Sequence, residues 1–303
     1  MPESVPCNLC GADEPRRLFE LRDYRLRVDD VLWTVVSCGR CGLGYLNPRP
    51  TRTETARYYP ASYFDHRAVA HARYERMAGY LPKPPGELLD VGTARGDFLV
   101  LARERGWSVT GIEGHAEPRP DVPVLRESFP EECSLPGGRF DVITAWAVFE
   151  HLHDPRKAFF ECARMLKPGG RLIVQVPNRR SIWFLARQED VPRHLYFYDP
   201  RTLNRFGDAT GLRLDTVHHT TDLFGGSGRG VLRLWYSRLL GRSLDEFFEI
   251  WATPRRARWR RWPLFTGGWS AAAAVESVLL PDRLVRTLRL SGQVVAVFSK
   301  PLR

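Results

Sequence analysis

Residues 87–105 read Glu87-Leu-Leu-Asp-Val-Gly-Thr-Ala-Arg-Gly-Asp-Phe-Leu-Val-Leu-Ala-Arg-Glu-Arg105. The apolar run at 87–91 is typical of a buried strand, and the small residues at 92–96 indicate a tight turn. The segment 97–105 carries apolar side chains at helical spacing and ends before Gly106, a common helix terminator. Together the three parts predict one strand–turn–helix unit of an α/β fold.

The same alternation continues along the chain. Further strands are predicted at 107–113, 122–125, 140–145 and 171–176, and helices at 58–81 and 155–166. Strands that alternate with helices form a doubly wound, mostly parallel sheet, which binds its ligand beyond the carboxyl ends of the strands. We therefore expect one large domain over residues 51–303, with a ligand site near the turn at 92–96.

Two Cys-x-x-Cys-Gly motifs precede this domain, one at Cys7 and Cys10 and one at Cys38 and Cys41. Cysteines at this spacing can turn both thiolates toward one ion, and the glycine tolerates the backbone angles of such a turn. The intervening residues leave room for a hairpin, which we predict at 25–36. Four thiolates predict a closed, structural zinc site, in a zinc ribbon that with its linker spans the first 50 residues. A disulfide pair or free thiols are the alternatives.

The turn at 92–96 does not match two common nucleotide-binding motifs. The dinucleotide fingerprint G-x-G-x-x-G differs from the spacing of Gly92, Ala94 and Gly96. The phosphate-binding pattern G-x-x-x-x-G-K-[ST] does not occur in the sequence. Dehydrogenase and P-loop functions are therefore disfavoured.

Several motifs follow one another in a fixed order along the domain. They are Asp90-Val-Gly-Thr-Ala-Arg-Gly96, Glu113 after the second strand, Phe140-Asp141, Phe149-Glu-His-Leu-His-Asp-Pro155 and Leu166-Lys-Pro-Gly-Gly-Arg-Leu172. Over about residues 88–214 they resemble the class I S-adenosylmethionine-dependent methyltransferase family. The resemblance implies a seven-stranded, Rossmann-like sheet, S-adenosylmethionine as cofactor, and a last strand within 292–301 that inserts antiparallel into the sheet.

The front of the chain extends this resemblance. A four-Cys ribbon followed by Cys41-Gly-Leu-Gly-Tyr-Leu-Asn-Pro48 is similar to a bacterial branch of the family. Sugar C-methyltransferases of deoxysugar pathways share a comparable Cys-rich front. The chain departs from the family at Ala94, where most members have the middle glycine of the turn. The added methyl group is either tolerated there or slightly alters the approach of the ligand.

The resemblance also implies a cofactor site. The glycines of the turn let the backbone approach the methionine portion of the cofactor, and the N-terminus of the next helix faces its carboxylate. Glu113 accepts both ribose hydroxyls or is a solvated acid at a strand end, and Asp90 contacts the ammonium group or orders the turn. The predicted cofactor-binding residues are Asp90, Gly92, Ala94, Gly96, Glu113, Ser128, Phe129, Ala145 and Trp146.

Methyl transfer needs alignment of the acceptor with the methyl group, and an acceptor hydroxyl or acidic carbon also needs a base. We predict His151, His194 and Tyr196 as catalytic residues. His151 follows the fourth strand, and His194 alternates with Tyr196 in the loop after the fifth. Alternatively, His151 packs at a helix start and the loop is a buried aromatic stripe. A divalent ion at Glu150 and His151 is a third interpretation, for which the sequence offers no further ligands.

Residues 222–290 lie ahead of the last strand and are predicted to form a helical insertion. A Gly-rich hinge at 225–230 would let this insertion act as a lid that selects the acceptor. Within it, the segment 255–262 interleaves arginine with tryptophan. That pattern is typical of peripheral contact with a membrane surface or a nucleic acid, and equally of a solvated, salt-bridged helix face.

Composition limits the functional classes. The chain has 303 residues and a net charge of +10, but only four of its 45 basic residues are lysine. Such a bias can reflect genomic base composition, so it does not by itself indicate a nucleic-acid partner. The sequence starts without a secretory signal, and no apolar run approaches the roughly 18 residues of a membrane span. With four cysteines in zinc-type motifs, these features predict reduced thiols and a cytoplasmic enzyme.

The sequence thus predicts a methyltransferase that acts on a small molecule, a carbohydrate or a lipid-linked intermediate, at oxygen. Carbon methylation of a sugar is the close alternative. A nucleic-acid methyltransferase is less favoured, because the fourth strand lacks an Asn/Asp-Pro-Pro-Tyr motif. A non-catalytic scaffold that binds the cofactor is a further alternative, and the oligomeric state is left open.

Overall fold

In the computed structural model of the chain, the described residues are 1–60, 71–187, 189–221, 223, 227, 230–240 and 263–302. Part of the helix predicted at 58–81, most of the hinge at 225–230 and all of the segment 255–262 therefore lie outside the described residues. The predicted hinge and the predicted contact surface stay sequence predictions.

The N-terminal region forms a small antiparallel sheet. Its first three strands are β1 (Pro15–Leu21), β2 (Trp33–Cys38) and β3 (Gly44–Leu46). The predicted hairpin at 25–36 was wrong in its first arm, because β1 lies earlier in the chain. The carboxylate of Asp23 accepts hydrogen bonds from the backbone N–H groups of Leu26 and Val28, at 3.1 and 3.3 Å. This local turn satisfies donors that a strand would otherwise use.

A short linker follows this sheet. Helix α1 (Arg52–Thr55) begins at Thr51, which forms a capping box with Glu54. A 3-10 turn (Ala56–Tyr58) continues the chain, and helix α2 (His71–Ala78) precedes the central sheet.

The rest of the chain alternates strands and helices as predicted. The strands are β4 (Gly86–Val91), β5 (Trp107–Ile112), β6 (Val124–Leu125), β7 (Phe140–Trp146), β8 (Leu166–Pro177), β9 (Tyr196–Phe197), β10 (Arg213–Thr220) and β11 (Gln293–Ser299). The helices are α3 (Asp97–Glu104), α4 (Pro155–Met165), α5 (Ile182–Leu185), α6 (Pro200–Thr210), α7 (Val231–Leu239), α8 (Pro263–Leu279) and α9 (Asp282–Thr287).

Seven of these strands form the central sheet in the order β10-β11-β8-β7-β4-β5-β6. The pairs among β4, β5, β6, β7 and β8 are parallel, whereas β11 lies antiparallel between β8 and β10. The prediction of a seven-stranded, mostly parallel sheet with a final antiparallel strand is confirmed. The strand order reverses at β4, so the turn after β4 lies at the switch point where such sheets bind ligands.

Aromatic packing fixes helices α4 and α6 on the sheet. The ring of Phe159 stacks on Phe206 at 5.1 Å between centroids and meets Phe298 of β11 edge-on at 5.4 Å. All three side chains are fully buried. Burial of one such ring contributes about 1.5–3 kcal/mol, and each aromatic pair adds about 0.5–1.5 kcal/mol.

Helices α7, α8 and α9 lie in the chain between β10 and β11, so the predicted helical insertion before the last strand is confirmed. α7 packs against α8, where Arg233 forms an ion pair with the fully buried Glu276 at 2.7 Å. Across the described part of the chain, every helix is too short or too polar to traverse a lipid bilayer.

The N-terminal sheet gains its fourth strand from the distant loop after β8. Strand β9 pairs antiparallel with β3, and Gly44 lies opposite Phe197. A Cβ atom on Gly44 would lie 3.0 Å from the Cβ of Phe197, so the close approach depends on glycine. The N-terminal sheet and the loop that carries His194 are therefore parts of one hydrogen-bonded structure.

Candidate active site

The turn after β4 has an unusual backbone at all three small residues. The φ angles of Gly92, Ala94 and Gly96 are 67°, 51° and 83°. A Cβ on Gly92 would lie 2.6 Å from a methyl carbon of Val148, and one on Gly96 equally close to Val122. Both glycines are thus required by φ and by space, whereas Ala94 holds a left-handed conformation with its side chain in place.

Glu113 follows β5 and holds this turn. Its Oε2 accepts the backbone N–H of Ala94 at 2.8 Å, and its Oε1 accepts those of His115 and Ala116 at 2.7 and 3.0 Å. The side chain is 7% exposed. Glu113 therefore lies at the predicted place beside the turn, but it also fixes the loop, a role that the sequence did not indicate.

The N-terminus of α3 faces the same region. Its N-cap is Gly96, which has no side chain to cap the first turn. The free N–H groups and the helix dipole at this end favour a negatively charged group. The uncapped N-terminus of α3 thus lies directly after the turn.

Asp90 lies at the end of β4 and is buried. Its Oδ1 accepts a hydrogen bond from the hydroxyl of Thr144 on the neighbouring strand β7, at 2.5 Å. Burial raises the pKa of Asp90 to about 7. In this structure Asp90 ties β4 to β7 just ahead of the turn, and both predicted roles of Asp90 stay predictions.

The other predicted cofactor residues lie around this edge of the sheet. A Cβ on Gly114, next to Glu113, would lie 3.5 Å from the Oγ of Ser128, which places Ser128 beside the end of β5. Phe129 and Ala145 are buried. Trp146 ends β7 and packs edge-on against Phe98 of α3 at 5.5 Å. Ala145 lies opposite Val91, the last residue of β4 before the turn. The cofactor role of these residues stays a prediction.

A second group of polar side chains lies beside the turn. Glu150, His151 and His194 each offer a ligand atom, and these atoms lie within 4.8 Å of one another. The two imidazole rings meet edge-on with centroids 4.9 Å apart. The backbone N–H of Leu195 donates to the carbonyl of Glu150 at 2.7 Å and holds the two loops together. The structure therefore brings together His151 and His194, which lie far apart in the sequence.

Hydrogen bonds orient both imidazoles. Nδ1 of His151 lies 2.9 Å from the carbonyl oxygen of Arg193, which can only accept, so this nitrogen carries the proton and Nε2 keeps a lone pair. Nδ1 of His194 faces Oε2 of Glu189 at 3.3 Å. Burial lowers the pKa of His151 to about 3 and that of His194 to about 4. Both rings are therefore neutral at pH 7.

The carboxyl groups of this cluster are deeply buried. Burial raises the pKa of Glu150 to about 8, and the same cause raises that of Glu189 to about 8. Oε2 of Glu150 accepts no hydrogen bond from any residue that the structure describes.

Tyr59 connects the histidine cluster to the turn. Its hydroxyl lies 2.9 Å from Nδ1 of His151, and its ring meets that imidazole edge-on at 6.0 Å. The other face of the ring is stacked on His115 at 6.4 Å, and the backbone of His115 is bonded to Glu113. The ring of Tyr59 thus lies between His151, the predicted base, and the loop of Glu113, the acid predicted to bind the ribose.

The structure does not bring Tyr196 to the two histidines. Tyr196 lies in β9, its side chain is buried, and its hydroxyl accepts a hydrogen bond from Arg49 at 2.9 Å and donates to the carbonyl of His153 at 3.2 Å. These contacts clamp the linker onto the domain. His194 lies ahead of β9, outside the strand that contains Tyr196.

A buried ion cluster supports the loop that carries His194. The guanidinium of Arg193 bonds both carboxylate oxygens of Asp23, at 3.0 and 2.6 Å, and Oδ1 of Asp190 at 2.7 Å. The side chains of Arg193 and Asp23 are completely inaccessible to solvent. Arg25 forms a further pair with Asp190 at 2.5 Å. The N-terminal sheet therefore determines the position of the residue next to His194.

The four cysteines of the N-terminal motifs meet at one point. The Sγ atoms of Cys7 and Cys41 are 3.4 Å apart, those of Cys10 and Cys38 are 3.6 Å apart, and all four lie within 4.8 Å. Four sulfurs about 2.3 Å from one zinc ion in a tetrahedron lie about 3.8 Å apart. The donor set fits a zinc ion, and all four residues are free of disulfides.

Sequence reasoning missed three residues of the site. Glu189 and Arg193 both precede His194 in a segment that is rich in charged residues. This local concentration of charge is a signal that could have indicated them. Tyr59 had no local signal, because its partners His115 and His151 are distant in the chain.

The sheet order, the turn after β4 and the acid after β5 define the class I S-adenosylmethionine-dependent methyltransferase fold. Comparison with known proteins agrees with this class. The sequence profile of the methyltransferase domain family matches residues 62–217, just over half of the chain. The chain belongs to this methyltransferase domain family, as the sequence motifs predicted.

Two curated relatives carry the name ubiquinone biosynthesis O-methyltransferase. The protein of Erwinia tasmaniensis is 30% identical over 112 residues, which cover 33% of this chain and 46% of the relative. That of Klebsiella pneumoniae subsp. pneumoniae is 30% identical over 124 residues, which cover 37% of this chain and 50% of the relative. The chain thus spans about half the length of the curated relatives it matches.

A solved structure shares the fold. It is a chain in the complex between the Haloferax volcanii Trm112 methyltransferase activator and a methyltransferase, with a TM-score of 0.50 and 18% sequence identity. The alignment covers 76% of this chain and 90% of that chain. At this identity the likeness concerns the fold alone.

Proposed function

We propose that this chain is an S-adenosylmethionine-dependent O-methyltransferase whose acceptor is a small molecule, a sugar or a lipid-linked intermediate. The observation that carries the proposal is the turn of Gly92, Ala94 and Gly96, held by Glu113 next to the histidine cluster. Membership of the methyltransferase domain family supports the reaction type. The names of the two relatives favour oxygen as the acceptor atom and a biosynthetic substrate.

The chain fits the cofactor through its backbone. A Cβ at Gly92 or Gly96 would collide with Val148 or Val122, so the shape of the turn requires glycine at both positions. The uncapped start of α3 offers N–H groups to a carboxylate. Glu113 supplies carboxylate lone pairs beside the turn that can accept ribose hydroxyls. When bound, the cofactor supplies a sulfonium methyl group that an oxygen nucleophile can attack.

The histidine cluster is the proposed acceptor side of the site. Nε2 of His151 keeps a lone pair, because Nδ1 donates to the Arg193 carbonyl. This nitrogen can take or share the proton of an acceptor hydroxyl. Tyr59 contacts both halves of the proposed site, through His115 on one side and His151 on the other. We propose Tyr196 as a supporting residue, since its hydroxyl is bonded to Arg49 and His153.

The four-Cys cluster is the proposed site of a structural zinc ion. Four thiolates leave no open coordination position for chemistry, so the ion would join the segment of Cys7 and Cys10, ahead of β1, to the end of β2 at Cys38 and the turn at Cys41. Reduced thiols of this kind favour the cytoplasm as the proposed compartment. The lid role of residues 222–290 and membrane contact through 255–262 remain proposals from the sequence.

Binding of S-adenosylhomocysteine tests the cofactor site. Glu113→Gln removes one of the two acceptor oxygens that hold the turn, and a lost hydrogen bond to a charged group costs about 1.5–3 kcal/mol. We expect an affinity at least about tenfold lower by isothermal titration calorimetry. The matched control is Glu104→Gln, which changes an exposed acid at the far end of α3, the helix that follows the turn. Unchanged affinity in Glu113→Gln would remove Glu113 from the site.

Methyl transfer itself is tested with methyl-labelled S-adenosylmethionine and fractionated cell extract. Label in the small-molecule or lipid fraction supports the proposal, and the position of the label separates oxygen from carbon methylation. Label in nucleic acid would favour the nucleic-acid methyltransferase instead. Cofactor binding without label in any fraction would favour the scaffold interpretation.

A further inference from the structure

Helix α8 presents an exposed surface without charged side chains. Its 17 residues include a single ionisable side chain, Glu276, and that carboxylate is fully buried in the ion pair with Arg233. The side chains that α8 exposes include Val275, Val278 and Leu279. A surface helix of a globular protein ordinarily turns charged and polar side chains outward, so this apolar face indicates a contact with something other than water.

The apolar surface continues on two neighbouring helices. Helix α9 begins three residues after α8 ends, and helix α5 meets the end of α9, where the backbone N–H of Ile182 donates to the carbonyl of Leu290 at 3.2 Å. Six aliphatic residues on the three helices and their ends are each at least 40% exposed. They form what we term the apolar surface: Leu185, Val275, Val278, Leu279, Leu284 and Leu288.

The charges beside the apolar surface are almost all positive. Residues 180–187 and 263–290 contain five exposed arginines and two acids. One of the acids is the buried Glu276, so Asp282 alone offsets the arginines within these two segments. The exposed arginines are Arg180, Arg187, Arg283, Arg286 and Arg289. Aliphatic side chains beside arginine are typical of a surface that lies in the interface of a membrane, with the cations at anionic headgroups.

A lipid surface matches both features better than two other occupants do. In a symmetric contact between two copies, the same surface meets itself, so the arginines of one copy would approach those of the other. A nucleic acid would neutralise the arginines, but its bases stack on aromatic rings, and the apolar surface consists of valine and leucine. Anionic lipids attract the arginines and also cover the aliphatic side chains.

We propose that the apolar surface and its arginines dock on the anionic face of a lipid bilayer. The bilayer would then lie close to the acceptor side of the proposed active site. Leu185 on α5 precedes Glu189, the partner of His194, by four residues, and a chain of that length spans at most about 14 Å.

Docking also selects among the proposed acceptors, and this part rests on the proposed function. A lipid or lipid-linked acceptor keeps its apolar part in the bilayer while its hydroxyl reaches His151. A freely diffusing sugar or small molecule would gain nothing from a protein that is held at a membrane. The acceptor class that fits the surface is therefore a lipid or a lipid-linked intermediate.

Flotation with vesicles tests the surface. The protein is mixed with phosphatidylcholine vesicles that contain phosphatidylglycerol, and with vesicles of phosphatidylcholine alone, at about 0.1 M and about 1 M salt. We expect binding to the anionic vesicles that weakens at the higher salt, because salt screens the arginine charges. Arg283→Gln/Arg286→Gln should lower the affinity about 30-fold, since each arginine near an anionic surface contributes about fivefold. Val278→Gln/Leu284→Gln should lower the affinity at both salt concentrations.

Matched control variants change the same types of residue elsewhere. Arg156→Gln/Arg201→Gln removes two exposed arginines from α4 and α6, and Phe160→Gln removes an exposed apolar side chain from α4. Both controls should bind vesicles as the wild type does. Binding of S-adenosylhomocysteine by each variant shows that its fold is intact.

The outcomes separate the docking surface from the proposed function. No flotation of the wild type with anionic vesicles, or equal flotation of the wild type and both surface variants, would overturn the docking surface. A dimer that dissociates in Val278→Gln/Leu284→Gln, or tighter binding to an oligonucleotide than to vesicles, would also overturn it. Vesicle binding without S-adenosylhomocysteine binding would support the surface and refute the proposed function. Methyl label confined to water-soluble molecules would refute the lipid class of acceptor.

Discussion

Replacing Arg193 by methionine removes the centre of the buried ion cluster that joins the N-terminal sheet to the active-site loop. The substitution keeps a long side chain but leaves Asp23 without its bidentate partner in a fully buried place. Loss of one member of a buried pair typically costs about 3–5 kcal/mol, because an uncompensated charge remains. Asp190 retains Arg25 and is affected less.

The expected change in melting temperature follows from the size of the chain. An unfolding entropy of about 2.1 cal/mol/K per residue gives about 0.64 kcal/mol/K for 303 residues. Arg193→Met should therefore lower Tm by about 5–8 °C, measured by differential scanning calorimetry. Arg213→Met, which removes the 2.8 Å pair of an exposed arginine with Asp215, should lower Tm by about 1.5 °C or less.

A double-mutant cycle isolates the contact. Asp23→Leu combined with Arg193→Met removes both charges, so the double variant should be more stable than the two single effects predict, by about 0.5–3 kcal/mol. Additive effects, or a wild-type Tm in Arg193→Met, would refute the interpretation that this pair secures the loop of His194.

Three further predictions concern the turn, acid stability and the four-Cys site. Ala94→Gly should raise Tm slightly, because relief of about 1–2 kcal/mol of strain in the left-handed backbone exceeds the entropic cost of glycine. Ala94→Val should lower Tm. Equal Tm values for alanine, glycine and valine at this position would contradict a strained turn. Burial opposes ionisation of Asp190, but the imidazole of His194 and the guanidinium groups of Arg25 and Arg193 lower its pKa to about 2. The pKa of Asp190 in the folded protein lies below the ordinary value near 4. The stabilisation from ionised Asp190 is therefore complete above about pH 4 and is lost as the pH falls toward 2. Asp190→Asn should make the free energy of unfolding less dependent on pH in this range. Cys38→Ser should abolish one tightly bound zinc per chain in elemental analysis and lower Tm, and a wild-type zinc content would refute the four-thiolate site.

Local sequence patterns were sufficient for the central sheet. The apolar runs, the glycine turns and the Pro155 helix start each depend on neighbouring residues, so β4, α3, β5, β7 and α4 could be located within a few residues. The position of Glu113 after β5 follows from the same register. These features were predictable because each is determined within a short window of chain.

The candidate catalytic cluster depends on contacts between residues that are far apart in the sequence, which no short stretch of chain can reveal. His151 was placed correctly after the fourth strand, but its meeting with His194 requires the pairing of Leu195 with Glu150. Tyr196 was predicted as catalytic from alternation alone, whereas its hydroxyl is used by Arg49, far away in the sequence. The turn at Asp23 is likewise bonded to Arg193, which is distant in the sequence. The prediction could not use this contact, and it placed the first arm of the hairpin too late in the chain.

The pairing of β3 with β9 has a consequence for the newly made protein. On the ribosome, the strand that completes the N-terminal sheet appears about 150 residues after Leu46, which at about 5–20 residues per second is a delay of about 8–30 s. During this time β3 presents an unpaired edge, the kind of surface that pairs with other chains. The four cysteines are all synthesised before the delay begins. A zinc ion bound at that stage would join the segment ahead of β1 to the end of β2 until β9 has been synthesised.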